Sequence, residues 1–150
     1  MAIARGAGTE IIRTASFENI DSSDTKLIFG VQHHIYTVLS IIIHAKVLQA
    51  SGNVAQVEFV GYDAKEGTTA QIHVVFKEAF GSAGQTFVWN DKFSFNGYEP
   101  VDFSGPMDDA TKQDAIADQG SSVAQFLKTN TTHADDGFEL FITYIDQNNS

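Results

Sequence analysis

The sequence predicts an all-β protein: a single-domain β-sandwich or jelly roll of about seven to nine antiparallel strands with an N-terminal arm. Three observations predict it. Apolar and polar residues alternate along short segments that follow one another at intervals of roughly ten residues. β-Branched and aromatic residues are abundant, with twelve phenylalanines in 150 residues. No long segment has the period of an amphipathic helix. We expect the arm to cover residues 1–17 and the sandwich residues 18–150.

The N-terminal arm is predicted from glycines that precede an apolar segment. Gly6 and Gly8 come just before Thr9–Phe17 (TEIIRTASF). Such a segment either adds a strand to its own sheet or pairs with a neighbouring subunit, and the sequence leaves both possibilities open. The candidate protein-interface residues are the large apolar residues of this arm: Ile3, Ile11, Ile12 and Phe17.

The clearest strand in the sequence is Ile35–Leu48 (IYTVLSIIIHAKVL). Its isoleucines and valines favour extended structure, and strict alternation would place Ile35, Ile41 and Ile43 on one face. Because both faces are apolar up to Ile43, we expect this end of the strand to be covered on both sides. Ser51-Gly52-Asn53 then predicts a turn, and Val54–Tyr62 the second strand of a hairpin.

The remaining elements are shorter. A half-buried strand contains Ile72, Val74 and Phe76, and two short strands, Thr86–Trp89 and Lys92–Phe95, flank an expected tight turn at Asn90-Asp91. The later predictions, in chain order, are an edge strand at Tyr98–Phe103 because of Pro100, a short exposed helix or loop near Asp108–Asp118, an ambiguous Val123–Leu127, a loop at Asn130–Gly137 and a last strand at Phe138–Ile145.

Composition excludes several classes of function. The formal net charge is −10, which disfavours binding driven by phosphate charge, and we expect no nucleic-acid partner. The chain has no cysteine, so disulfides, thiolate nucleophiles and thiolate zinc sites are excluded. The most apolar stretch has fourteen residues and contains His44 and Lys46, which is too short and too polar to span a bilayer. We expect a soluble protein without a cleaved leader.

No pattern of catalytic residues is evident, and we expect no enzyme activity, cofactor or metal. The adjacent His33 and His34 would point to opposite faces of a strand, and they lack the spacing of a cupin metal site. Asp108-Asp109 and Asp135-Asp136 lack the alternating ligands of a calcium loop. Nucleophile-elbow and phosphate-loop motifs are absent. Trp89 is a candidate sugar-binding platform, although its alternation with Phe87 favours a place in the core or an interface.

The order of three segments in the chain is more informative than the composition. The segment HIYTVLSIIIHA leads into the alternating strands, VVFKEAFGSAGQTFVWNDKFSFNGYEPVDFSG follows, and GFELFITYIDQ closes the chain. Over residues 34–103 and 138–147 this order resembles the small β-sandwich structural proteins of tailed bacteriophages, of the head-decoration, cement or head–neck type.

The resemblance implies a non-enzymatic virion protein that is assembled in the host bacterial cytoplasm. As a capsid decoration or cement protein it would stabilise the shell by binding the major capsid protein or other virion proteins, as a homo-oligomer. The alternative is a carbohydrate-binding β-sandwich module, such as a host-surface adhesin or receptor-binding domain.

Overall fold

The structure is a computed structural model that describes residues 9–62, 70–98, 110–111 and 124–148. Within these ranges the chain forms two antiparallel sheets packed face to face, which confirms the predicted all-β sandwich. The nine strands of the described residues are β1 (Thr9–Ile20), β2 (Thr25–Phe29), β3 (His34–Val47), β4 (Val54–Tyr62), β5 (Ala70–Ala79), β6 (Thr86–Trp89), β7 (Phe93–Asn96), β8 (Phe126–Thr131) and β9 (Gly137–Asn148).

The strands divide between a sheet A and a sheet B. Sheet A has the order β1-β9-β3, and both β6 and β7 pair with the free edge of β3. Sheet B has the order β2-β8-β4-β5. The core lies between the two inner faces, where Val38, Ile41 and Ile142 of sheet A and Val57 and Leu127 of sheet B are fully buried. Burying each such side chain contributes about 1.5–3 kcal/mol, so the sandwich is stabilised mainly by contact between the sheets.

Aromatic pairs extend this core along the sandwich. The ring of Phe59 in β4 lies 4.9 Å from that of Phe95 in β7, and Phe76 in β5 stacks on Trp89 in β6 at 6.0 Å. Each pair joins sheet B to sheet A. Aromatic pairs at such distances contribute about 0.5–1.5 kcal/mol beyond their buried area.

β3 confirms the strongest strand prediction, but its alternation is not strict. The register of β3 against β9 shifts between Val38 and Ser40, which is the mark of a β-bulge. The bulge lets Tyr36 and Val38 share the buried inner face with Ile41, Ile43 and Ala45. The expectation that Ile35 and Ile41 lie on one face is therefore wrong, because one extra residue separates them in the strand.

The predicted hairpin of β3 with β4 is also wrong. β3 pairs only within sheet A, and β4 pairs with β5 and β8 of sheet B. The turn at residues 51–53 is present, and it carries the chain from one sheet to the other. Likewise Asn90-Asp91 does not reverse the chain, since β6 and β7 run in the same direction along β3 and residues 90–92 only interrupt this edge.

Two strands lay outside the predictions. β2 was not predicted, and β8 occupies Phe126–Thr131, where a loop was expected to begin at Asn130. The inner face of β8 includes Thr129 and Thr131, whose polarity obscures the alternation. Both threonines are nevertheless buried, and the Thr129 hydroxyl donates a hydrogen bond to the Gln56 carbonyl oxygen at 2.8 Å.

Close backbone contact joins the sheets at one end of the sandwich. The Gly30 N–H donates to the Gln125 carbonyl oxygen, and the Gln125 N–H donates to that of Gly97, both at 2.8 Å. A Cβ on Gly97 would lie 1.9 Å from the Val31 carbonyl oxygen, so a larger residue does not fit there.

Several predictions fall wholly or partly outside the described residues. Residues 1–8 of the predicted arm and residues 99–103 of the predicted edge strand are not described. Tyr98, the first residue of that edge strand, is described and forms an isolated bridge with Ala124. Of the segment expected to be a short helix or a loop, only Ala110 and Thr111 are described, and both are helical and exposed. In the part of the chain that the structure describes, no helix has the length and apolar character needed to cross a bilayer.

Candidate assembly surfaces

The predicted N-terminal arm joins its own sheet. β1 pairs with β9 from Thr9 to Ile20 and continues three residues past the expected end of the arm. Phe17 packs against the core and Ile11 is half-buried, whereas the Ile12 side chain is 68% exposed on the outer face of sheet A. Ile3 lies outside the described residues. Of the three candidate interface residues that are described, Ile12 is the one open to a partner.

A charged cluster fastens β1 to the rest of sheet A. The Arg13 guanidinium Nε donates to Asp146 Oδ2 at 2.9 Å, and His34 Nδ1 lies 2.6 Å from Asp146 Oδ1. Asp146 is almost completely buried, so its two partners satisfy a carboxylate that would otherwise be costly to bury. Burial, with the negative charge of Asp146 beside it, raises the pKa of Tyr36 to about 12. Burial also raises the pKa of Tyr144. The cluster connects three strands, and His34 has a structural role in it.

The outer face of sheet A carries an apolar row, and we call this surface face A. The strand registers place Phe141, Ile42 and Val88 side by side across β9, β3 and β6. Ile12 and Ile145 form a second apolar pair on the same face. Val88 is 54% exposed and Phe141 40%. The outer face of an antiparallel sandwich is usually polar, so this row of three apolar residues makes face A a candidate contact surface.

A groove of about 290 Å³ opens on face A beside this row. Ile42 and Phe141 contribute apolar surface to it, and Glu18 and Glu139 contribute carboxylates. His44 also lines the groove, with its Nδ1 at 2.9 Å from the Thr86 hydroxyl. The groove therefore presents an apolar surface with two carboxylates beside it, of which Glu139 is paired with the Lys46 ammonium at 3.4 Å.

The outer face of sheet B, which we call face B, carries a second apolar row. It runs across all four strands through Phe29, Phe126, Val60 and Ile72, of which Val60 is buried, and Val74 lies beside its end. Phe29, Ile72 and Val74 are each 55% exposed. None of these residues was among the interface candidates predicted from the sequence.

A lysine lies over the aromatic part of face B. The Lys26 ammonium is 4.9 Å from the Phe29 ring centroid and 4.8 Å from that of Phe126, and the two rings stack at 6.0 Å. At these distances the ring faces attract the cation. The result is an exposed surface that is both aromatic and positively charged.

Polar side chains beside this row are connected by hydrogen bonds. Lys128 Nζ donates to Asp24 Oδ2 at 2.9 Å, and Asn130 Nδ2 donates to Asp24 Oδ1 and to Glu58 Oε1, each at 2.9 Å. The hydrogen bond from Lys128 is the main cause that lowers the pKa of Asp24. Asp24 and Glu58 therefore both accept hydrogen bonds, and Lys128 is paired with Asp24. The other two ammonium groups of face B, those of Lys26 and Lys77, have no carboxylate partner among the described residues.

The other candidate chemical groups serve the structure. No group of three or more His, Asp or Glu side chains lies close enough to hold a metal ion within the described residues. The buried Asp136 accepts hydrogen bonds from the N–H groups of Gln49 and His133 and from the side-chain amide of Asn53. Burial acts to raise the pKa of Asp136, but these hydrogen bonds outweigh it and the pKa is lowered.

Trp89 lies against the core and is half-buried. One face of its indole stacks on Phe76, and the Phe93 ring lies at a steep angle to the indole with the ring centroids 5.8 Å apart. The single tryptophan of the chain therefore has its contacts in the aromatic core, as its alternation with Phe87 favoured. The stacked face is not free to bind a sugar ring.

Comparison with known proteins gives remote likenesses only. No protein-family model matches the chain, and no curated protein matches it. A solved structure of Bacillus endospore appendages, a novel family of disulfide-linked pili, is similar with a TM-score of 0.44 and 12% identity, over 100% of this chain and 97% of that one.

Two virus structures are similar at a comparable level. T=1 particles derived from infectious bursal virus give a TM-score of 0.40 and 7% identity, over 99% of this chain and 38% of the viral chain. The Gx strain of infectious bursal disease virus gives 0.39 and 9%, over 95% and 37%. Likenesses this low assign no function.

Proposed function

We propose that this chain is a non-enzymatic structural protein of a bacteriophage virion, a capsid decoration or cement protein that binds and stabilises the shell through protein–protein contacts. The observation that carries the proposal is the pair of apolar rows on face A and face B. A sandwich that worked alone in water would expose polar side chains at these positions. Exposed apolar side chains on several strands of both outer faces are expected of a subunit that is covered by protein on both sides.

Charge and local chemistry support a structural role. A net charge of −10 keeps a protein soluble at high local concentration, because like charges oppose non-specific association. In the groove of face A, His44 Nδ1 pairs with the Thr86 hydroxyl, and Ser16 lies beside the apolar Phe141. The groove thus offers an apolar surface, with carboxylates beside it, for another protein to bind.

The proposal is tested on particles made by cells that carry the gene. Purified on a density gradient, they are expected to contain the chain at a fixed molar ratio to the major shell protein, measured by quantitative mass spectrometry. Particles stripped of the chain are expected to release their DNA at a lower temperature, and adding the chain back is expected to restore the original temperature.

Variants connect this result to the two faces. The double variant Phe29→Asp with Phe141→Asp places a charge in each apolar row, and it is expected to bind stripped particles at least tenfold more weakly. Val31→Asp is the matched control, because Val31 is 50% exposed but lies in the loop between β2 and β3. Absence of the chain from purified particles would overturn the proposal.

A further inference from the structure

We propose that face B of one copy binds face A of a second copy, so that the chain associates head to tail. The inference rests on the proposed function, which makes the chain an assembly subunit, and it names the partner of the two faces. Because the faces lie on opposite sides of the sandwich, every copy has one of each to offer.

The charges of the two faces are of opposite sign. The strands place three carboxylates and one ammonium group on face A: Glu10, Glu18, Glu139 and Lys46. Face B carries three ammonium groups and two carboxylates: Lys26, Lys77, Lys128, Asp24 and Glu58. A positive face is notable on a chain with 19 acidic and 9 basic residues. Complementary charge of this kind guides partners together and fixes which faces meet.

The apolar surfaces match as well. On face B, Phe29 is more than half exposed beside the Lys26 ammonium. On face A, the groove offers Ile42 and Phe141 with Glu18 and Glu139 next to them. A projecting aromatic ring with an adjacent cation therefore has an apolar groove with adjacent carboxylates as its counterpart. Aromatic side chains that fill a groove on the partner provide much of the binding energy in protein interfaces.

Pairing between like faces is disfavoured by the same charges. Two copies of face A in contact would bring the carboxylates of Glu10 and Glu18 together, since Glu139 is paired with Lys46. Two copies of face B would oppose Lys26 and Lys77, which have no carboxylate partner among the described residues. Like charges at an interface reduce affinity. The remaining combination is heterologous, which produces a closed ring or an open filament according to the rotation between neighbours.

Complementary single-face variants test this inference in solution. Phe141→Asp disables face A and leaves face B intact, and Phe29→Asp does the reverse. By analytical ultracentrifugation the wild-type chain is expected to form oligomers larger than a dimer, and each variant to be monomeric. An equimolar mixture of the two variants retains one intact face of each kind and is expected to form a heterodimer and nothing larger.

Each contrary outcome overturns the inference. A dimer of Phe29→Asp by itself would mean that face A binds face A, and a dimer of Phe141→Asp by itself would mean that face B binds face B. A monomeric wild-type chain at all concentrations, or a mixture that stays monomeric, would contradict copy-to-copy binding. Val31→Asp is expected to assemble like the wild type, and circular dichroism of each variant establishes that it is folded.

A charge exchange tests the electrostatic part. Lys26→Glu in the Phe141→Asp chain is expected to weaken the heterodimer at least tenfold, and Glu18→Lys in the Phe29→Asp partner to restore most of that loss. No rescue by the second exchange would count against the proposed alignment. These measurements use the isolated chain, so failure here is distinguishable from failure of the proposed function, which is judged by the presence of the wild-type chain in particles.

Discussion

Asp136 connects two loops at one end of the sandwich through its carboxylate. Gln49 and Asn53 donate to it from the segment between β3 and β4, and His133 donates from the segment before β9. Asp136→Asn replaces one acceptor oxygen by a donor, which leaves an N–H group without its partner. We expect a loss of about 2 kcal/mol in the free energy of unfolding, measured with urea. Asp135→Asn is the matched control, because the Asp135 side chain is largely exposed and the change is expected to be small.

The same carboxylate makes stability depend on pH in acid. The folded-state pKa of Asp136 is lowered, so its contribution is fully present above the unfolded-state value of about 3.9 and is lost as the pH falls through the folded-state pKa. The stability difference between the wild type and Asp136→Asn is therefore expected to be constant near neutral pH and to narrow below about pH 4. A difference that stayed constant into acid would show that the carboxylate charge is not what stabilises the loops.

Gly97 is required by close packing at the opposite end. An added Cβ would lie 1.9 Å from the Val31 carbonyl oxygen, and backbone hydrogen bonds to His34 and Gln125 hold Gly97 in place. Gly97→Ala is expected to lower the free energy of unfolding by about 3 kcal/mol or more, because backbone has to move. At Gly81 the nearest atom to an added Cβ is the Gln85 side chain at 3.6 Å. Gly81→Ala is therefore the control, and equal effects of the two changes would contradict this account.

At the scale of elements, β1 has a neighbouring strand on one side only within the described part of sheet A. It is an edge strand that pairs with β9, and Arg13 provides its ion pair with the buried Asp146. Arg13→Met keeps most of the side-chain length and removes the guanidinium group. We expect the amides of β1 to exchange hydrogen about tenfold faster, which corresponds to about 1.4 kcal/mol, while those of β4 are unchanged.

Lys128→Met provides a comparison for that experiment. It removes another ion pair of equal length, with Asp24, but from sheet B. Faster amide hydrogen exchange is expected in β2 and β8 with this variant. Faster exchange in β1 with this variant, or unchanged exchange in β1 after Arg13→Met, would mean that the Arg13 pair does not hold the strand.

Long strands were predictable from the sequence even where a bulge interrupts their alternation, as in β3, whereas a short strand with a bulge was not. β4 was predicted with its observed ends, whereas the prediction of β9 as Phe138–Ile145 begins one residue late and ends three residues early. β2 could not be recognised, because a bulge between Lys26 and Ile28 interrupts a strand of only five residues. Local sequence also could not show that β4 lies in the other sheet from β3, since a turn signal reports a change of direction and not the partner of the next strand.

The assembly surfaces were predictable to a smaller extent. Ile12 lies between Glu10 and Thr14 on one face of β1, and Phe141 lies between Glu139 and Thr143 on one face of β9. An apolar residue between polar residues of the same strand face can be recognised in the sequence. Ile12 was predicted as an interface residue only because it belongs to the N-terminal arm. Rows that cross several strands depend on register between distant segments, which a single sequence does not reveal.

At the scale of the whole molecule, both sheets share one core, so they are expected to unfold together. Trp89 of sheet A stacks on Phe76 of sheet B, and its fluorescence therefore reports contact between the sheets. Ile142→Ala in sheet A and Leu127→Ala in sheet B each empty a fully buried position, and each is expected to cost about 2–5 kcal/mol. In both variants the urea midpoints from Trp89 fluorescence and far-ultraviolet circular dichroism are expected to coincide. Separate midpoints, with the fluorescence change preceding loss of strand structure, would mean that one sheet keeps its structure without the other.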